Sequence, residues 1–273
     1  MDESPLSRWL ALREPADRAA RSAWLTQALI ERLPHGRPLR VVDLGTGSGS
    51  NVRYLEPALS GSGDDHSTRA VEWLLVDHDE ALLEEARRRQ PRVETRLMNL
   101  GHLDSGLFDE RDLVTASALL DLVSERWLQS LATRCRSVGA AALFALNYNG
   151  KSRCAPPESE DEFIRVLMND HQRQNDRGFG RAAGPDASAI AARCFEAAGY
   201  FVERARSNWQ LTPDDRELQS RLVSGWADAA LEIAPECTPM IRDWLGRRLA
   251  HIDAGRSRVT VGHDDLAAWL EHV

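Results

Sequence analysis

A doubly wound α/β fold on a mostly parallel sheet of seven strands is what the order of apolar patterns in this chain predicts. Short β-branched apolar runs alternate with stretches of helical periodicity between residues 38 and 150. A glycine-rich turn sits where the first run gives way to a helix, and acidic residues stand at the ends of the first two runs. Strands and helices alternating in this way form βαβ units, whose parallel pairing puts helices on both faces of the sheet.

Ahead of the sheet, Trp9, Leu10, Leu12, Ala20, Trp24, Leu25, Ala28, Leu29 and Leu33 recur three and four apart, so two helices are expected in residues 1–37, ended by Pro34, Gly36 and Pro38. LRVVDLG has the length and branching of a buried strand. NVRYLEPALS follows as a helix with a late Pro57, GSGDDHST as a polar loop, and AVEWLLVD as the second strand. EALLEEARRR reads as a helix stopped before Pro91 with a solvated, ion-paired face. Next come strand RVETRLMN, a loop through GHLDSGLF, strand DLVTASALL, a helix opened by Ser124, and strand GAAALFALNY.

Residues 150–186 read as an insertion made of a Pro-Pro loop, a helix around DEFIRVLMNDHQR and the glycine-rich RGFGRAAGPD. Its glycines suit a lid, and equally a solvated turn. A helix DASAIAARCFEAAGY then leads to strand YFVERARSNWQL. Residues 213–251 hold two helices divided near Pro235 and Pro239, and RSRVTVGHDDLAAWL closes with a strand and a short helix. No linker separates a second domain, so residues 38–273 are expected to form one unit.

The chain has 273 residues, 34 basic against 42 acidic side chains, and a net charge of −8. No basic run supplies the phosphate contacts that nucleic-acid binding needs, so no nucleic-acid partner is expected. The four cysteines show neither disulfide nor zinc spacing, and no run approaches the ~20 apolar residues of a membrane span. The start MDESPLSRWL lacks a basic, then apolar, leader, and a cytoplasmic location without membrane partners is expected.

The sharpest chemical signal is VVDLGTGSGSN, residues 41–51. Gly45, Gly47 and Gly49 permit a tight turn and let a ligand approach the backbone with no Cβ in the way, and Asp43 precedes them. A nicotinamide or flavin site uses G-x-G-x-x-G on the same architecture; here the third glycine of that pattern falls on Ser50, which weighs against it. An acid ahead of G-x-G-x-G suits a ligand with an ammonium group and no pyrophosphate.

At DLGTGSG, residues 43–49, the chain resembles the class I S-adenosylmethionine-dependent methyltransferases, whose first strand and turn commonly read D-x-G-x-G-x-G. The resemblance implies a Rossmann-like methyltransferase sheet with an antiparallel last strand inserted between the fifth and sixth. It also implies S-adenosyl-L-methionine as cofactor and methyl transfer by in-line displacement. It is firmest over residues 38–210. The long stretch 213–251 stands where the family has a short hairpin, and is expected either to build the substrate pocket or to support a homodimer.

By the resemblance Asp43, Gly45, Thr46, Gly47 and Gly49 hold the cofactor, as does Asp77 in LLVDHD, whose carboxylate suits both ribose hydroxyls. The bland alternative is that Asp77 only caps the helix beginning near Glu80. His78 is placed beside the adenine, as are Asn99 and Leu100 after the third strand, while Ser117, Ala118 and Leu119 end the fourth. An Asn-Pro-Pro-Tyr-like tetrapeptide is absent there, where SALL stands instead, which agrees with a small-molecule acceptor.

Candidates for substrate contact are Asp121, Asn147, Tyr148, His171, Asp176, Arg177 and Trp209, with His171 as a candidate general base. His263, Asp264 and Asp265 read as a helix cap, so no metal is expected. A non-catalytic S-adenosylmethionine-binding protein and an NAD(P)-dependent oxidoreductase remain the competing functions. The latter lacks a Tyr-x-x-x-Lys pair, because Lys151, the only lysine, follows Tyr148 by three positions.

Overall fold

The computed structural model of the chain describes residues 4–61, 69–174, 176 and 178–271. Most of the expected polar loop, residues 62–68, and the candidate Arg177 lie outside the described residues. Two helices open the chain. In α1 (Pro5–Ala20) the Ser4 side chain accepts the N–H of Ser7, and in α2 (Ala23–Ile30) Ser22 accepts that of Leu25. Each cap satisfies a donor that the helix start leaves orphaned.

The sheet alternates as expected through β1 (Leu39–Leu44), α3 (Ser50–Ser60), β2 (Val71–Asp77), α4 (Glu80–Arg89), β3 (Glu94–Leu97), β4 (Leu113–Ser117), α5 (Glu125–Val138) and β5 (Ala141–Ala155). These five strands pair in parallel in the order β3-β2-β1-β4-β5. Chain direction across the sheet therefore switches between β1 and β4, which opens a crevice at their carboxyl ends. The far edge is antiparallel: β8 (Arg258–Trp269) runs between β5 and β6 (Phe201–Arg206).

Three local expectations give way to tertiary pairing. HDDLAAW, expected to end in a short helix, is strand throughout, because Ala268 pairs with Ala142 on one side and Val202 on the other while Leu266, Ala267 and Ala268 are fully buried. Two-sided pairing outweighs the helix preference of Ala and Leu. Residues 150–155, expected as loop, extend β5 along β8, with Ser152 opposite Val261 and Ala155 opposite Arg258. YFVERARSNWQL breaks at Ser207 and Asn208, so that β7 (Trp209–Leu211) pairs with the outer half of β8 and makes an eighth strand.

The remaining helices are α6 (Asp161–Gln174), α7 (Ala187–Ala197), α8 (Arg216–Ile233) and α9 (Thr238–Asp253). Apolar side chains gather in three clusters. One lies between the sheet and α5 and α7, and a second lies on the opposite face under α2, α3 and α4. The third joins α6, α8 and α9 to β7 and the outer β5–β8 arm through Ile164, Trp226, Trp244, Val259 and Val261. Trp9, Leu12 and Ala16 of α1 pack against this third cluster, so the insertion at 213–251 serves to fix α1 over the sheet.

Candidate cofactor and active site

Where β1 turns into α3, Gly45, Gly47 and Gly49 all take positive φ, at 65°, 53° and 81°. Only glycine adopts this backbone without strain. At Gly47 space is limiting too, because an added Cβ would lie 3.0 Å from Cδ1 of Leu10 on α1. The turn lies on the wall of a cavity of about 380 Å³ at the switch point of the sheet.

Two carboxylates flank the turn. Asp77, at the end of β2, accepts the N–H of Gly47 at Oδ2 (2.8 Å) and that of Asp79 at Oδ1 (3.0 Å), and it lines the cavity. The cap of α4 is Asp79, whose carboxylate accepts from Leu82, so Asp77 is not the helix cap. Asp43 is fully buried behind the turn; its Oδ1 accepts from Asn51 at 2.6 Å, and neither its Oδ2 nor the Thr46 hydroxyl has a hydrogen-bond partner among the described residues. Burial pushes the Asp43 carboxyl up to about 6, against the opposing pull of the nearby Thr46 hydroxyl, which stands outside hydrogen-bonding geometry, of Asn51 and of the Arg21 charge.

Asn51 ties this acid to a buried cation. Its Nδ2 also donates to Thr115 Oγ1 (3.1 Å) and its Oδ1 accepts from Arg21 (2.6 Å). The Arg21 guanidinium lies over Tyr54, its Cζ 4.2 Å from the ring centroid, and burial lowers its pKa. The pairing of Arg21 with Asn51 carried no sequence signal, because it depends on the corner between α1 and α2 meeting α3.

The cavity gathers most of the expected cofactor residues: Gly45, Thr46, Gly47, Asp77, His78, Asn99, Leu100, Ser117, Ala118 and Leu119 line it. Asp43 and Gly49 sit behind that lining and shape it. Ala118 is held at φ 53° with its N–H on the Ala145 carbonyl, a left-handed conformation costly for a residue with a Cβ. Trp127 donates to the Leu100 carbonyl at 2.7 Å and fixes the loop after β3.

The substrate candidates distribute differently. Asn147 is buried and donates to the carbonyls of Phe144 and Asp264, where β5 bulges against β8. Tyr148 donates to Asn169 inside the third cluster. His171 projects from α6 onto Glu232 of α8 at 3.0 Å, and Asp121 is buried in the turn after β4. None of these four lines the cavity. Asp176 accepts the N–H groups of Gly178 and Gly180, and the turn it organises puts Phe179 into the cavity wall, edge-on to Trp127. Trp209 stands one layer back, donating to Asp17 at 3.0 Å.

What the sequence reading missed is the contribution of α1. Leu6, Leu10, Arg13 and Asp17 line the cavity, and Arg13 grips Asp17 with two hydrogen bonds of 2.9 and 3.1 Å. Spaced four, three and four apart, they form one helical stripe, a signal present in the sequence. Glu85, expected on a solvated face, is instead buried and accepts the Ser7 hydroxyl at 2.6 Å, which fastens α1 to α4.

No protein-family model matches the chain, and no curated protein does. Solved structures do resemble it. Phosphoethanolamine N-methyltransferase 2 of Haemonchus contortus, in complex with phosphomonomethylethanolamine and S-adenosylhomocysteine, is 16% identical over 92% of this chain with a TM-score of 0.45; the chain covers 53% of that enzyme, about half its length. The YcgJ protein of Bacillus subtilis is 16% identical, covering 92% of this chain and all of its own, with a TM-score of 0.49. An S-adenosylmethionine-dependent methyltransferase of Thiobacillus denitrificans, bound to S-adenosylhomocysteine, is 16% identical over 99% of this chain and all of its own, with a TM-score of 0.45. The sheet order β3-β2-β1-β4-β5-β8-β6, with β8 antiparallel between β5 and β6, is a doubly wound, Rossmann-like arrangement. With identities of 16% and TM-scores below 0.5, these likenesses carry no argument, and the functional reading rests on this chain's own residues.

Proposed function

We propose that this protein is an S-adenosylmethionine-dependent methyltransferase acting on a small molecule in the cytoplasm. The observation that carries this reading is the pair of acids around one glycine turn: Asp77, braced by Gly47 and facing the cavity, and Asp43, buried with an orphaned oxygen behind the turn. A diol at one end of a ligand and an ammonium at the other match these two carboxylates, whereas a pyrophosphate would meet negative charge. Buried polar atoms without partners at such a wall fit a cofactor that supplies them.

The residues divide the work as follows. Asp77 accepts hydrogen bonds from the ribose hydroxyls, His78, Asn99 and Leu100 border the adenine, and Asp43 with Thr46 faces the amino acid end, directly or through water. When bound, S-adenosylmethionine supplies the methyl group and a neutral thioether as leaving group. Leu119, Leu122 and Phe179 keep water from that region, and α1 closes it from above. Alignment in such a pocket is worth on the order of 7 to 11 kcal/mol, so no general base is required where the acceptor atom already carries a free lone pair. His171, bound to Glu232 outside the cavity, is not assigned that role.

The small-molecule assignment is supported by the cavity's modest size and by the acidic balance of the chain. The four cysteines are free, which suits a reducing compartment, and no described helix is long and apolar enough to cross a membrane. Calorimetry with S-adenosylmethionine and with NADH, on wild type and Asp77→Ala, tests the cofactor. Binding of the former alone, weakened by the substitution, is expected, and binding of NADH instead would remove the proposal. Turnover of bound cofactor on adding a metabolite mixture separates an enzyme from a binding protein.

A further inference from the structure

A second cavity, of about 490 Å³, shares no lining residue with the first. Its floor is the middle of β8, where Thr260, Gly262 and Asp264 alternate onto one face. On one side of that floor stands β5, and on the other the end of β6, which pairs with β8 up to Asp264 before β7 takes over beside Thr260. From β5 come Lys151 and Arg153, and from β6 come Arg204 and Arg206, each pair two residues apart and so on one face of its strand.

All four cations are exposed, and among the described residues none of their side chains has a hydrogen-bond or ion-pair partner. The acids nearby are already engaged: Asp264 accepts from Asn149 at 3.1 Å, and Asp186 is paired with Arg173 at 3.2 Å. Four unpaired cations around one concavity repel one another, in a chain whose net charge is −8. An anion in the groove relieves that repulsion.

The end wall adds a helix dipole and a hydroxyl. It is the start of α7, an eleven-residue helix whose N-cap, Asp186, offers no side-chain cap; the Ala187 N–H is taken by the Gly184 carbonyl, and the positive end of the helix dipole lies on this side. Ser188, in the first turn, lines the cavity at 2% exposure, and its buried hydroxyl has no hydrogen-bond partner among the described residues. Buried polar atoms are nearly always satisfied. A ligand oxygen in the groove would satisfy this one.

We propose that this groove is a second binding site, for a small ligand carrying a phosphomonoester dianion. Three arginine forks, an ammonium, a hydroxyl and the positive end of a helix together offer more than one carboxylate accepts, and the tetrahedral dianion with three terminal oxygens matches them. The proposal does not depend on the cofactor assignment.

The single lysine supplies the test. Reductive methylation with 13C-formaldehyde keeps the charge of Lys151 and gives one side-chain NMR signal, separate from that of the α-amine. Inorganic phosphate and ribose 5-phosphate are titrated at matched ionic strength. Saturable shifts of the Lys151 signal are expected, with an affinity lowered about tenfold or more in Arg204→Gln/Arg206→Gln and unchanged in Arg126→Gln. Unchanged thermal midpoints establish that the variants are folded, and Ser188→Ala should weaken binding in the same assay. Tighter binding of the sugar phosphate identifies an organic ester as the ligand, and equal binding identifies the phosphate ion itself. Shifts reproduced by sodium chloride, or retained in the double arginine variant, overturn the proposal.

Discussion

The backbone N–H of Gly47 donates to Oδ2 of Asp77 at 2.8 Å, so the glycine turn and the end of β2 form one hydrogen-bonded unit. The other oxygen of the same carboxylate accepts the N–H of Asp79 as α4 begins. One side chain therefore shapes the turn and also lines the cavity.

Removing that carboxylate should have two measurable effects. Charge-assisted hydrogen bonds are each worth about 1.5 to 3 kcal/mol, so Asp77→Ala is expected to weaken S-adenosylmethionine by about 100-fold or more. It should also lower stability by about 1 to 3 kcal/mol, because the Gly47 N–H is left buried without a partner. Asp77→Asn keeps the shape and one acceptor and should fall between. Calorimetry and urea melts measure the two effects, and an unchanged affinity would take Asp77 out of the site.

Asp43 predicts a pH dependence with a definite sign. Its carboxyl is raised by burial to about 6 from an ordinary 3.8, so the folded state holds the proton more tightly than the unfolded chain. Its contribution to stability is full below the ordinary value and is lost as pH rises toward about 6, on the order of 3 kcal/mol in all. Asp43→Asn should remove this slope in urea midpoints between those values. A ligand ammonium near Asp43 favours its charged form, so binding should strengthen with pH over the same window and release a proton, seen as a binding heat that varies with the buffer's ionisation enthalpy.

His263 works in the opposite direction. Burial, with Arg13 nearby, lowers its pKa to about 3, and the ring packs against Tyr148 and Trp209 with Nδ1 unpartnered among the described residues. A buried neutral histidine contributes stability above its unfolded value of about 6.5 that is lost as pH falls toward 3. His263→Leu should therefore flatten the acid limb of the stability profile, read from thermal midpoints at pH 4 and 7. A wild-type protein whose stability is level over that range would be explained only by near cancellation with Asp43, and the two single variants would then show opposite slopes.

How far the sequence could be read depends on the range of the forces involved. The first five strands and the glycine turn are written in local patterns, alternation or short apolar runs bounded by turn residues, and they stand where expected. HDDLAAW looks helical in isolation because the pairing that makes it a strand comes from residues about 60 and more than 110 positions away. His171, Asn147 and Asp176 attracted attention as polar residues in promising places, yet each is occupied by a neighbour: Glu232, the Asp264 carbonyl, and the turn at Gly178. The roof over the cavity was readable as a stripe on α1, but nothing in that stripe states which surface it faces.

That roof yields the last prediction. Helix α1 is held down by Ser7 on Glu85 and by Glu14, which pairs with Arg53 through hydrogen bonds of 2.8 and 2.6 Å and approaches Arg89 at 3.8 Å. With Leu10 against Gly47, a ligand seated on the glycine turn cannot leave along that side while the contacts hold. Ser7→Ala with Glu14→Gln removes both fastenings and leaves the cavity-lining stripe intact. Partly buried bonds of this kind are worth about 1 to 2 kcal/mol together, so S-adenosylmethionine should dissociate on the order of tenfold faster, with affinity lowered to match. Stopped-flow displacement by S-adenosylhomocysteine measures the rate. An unchanged rate would mean that the ligand passes elsewhere and that α1 is a fixed wall.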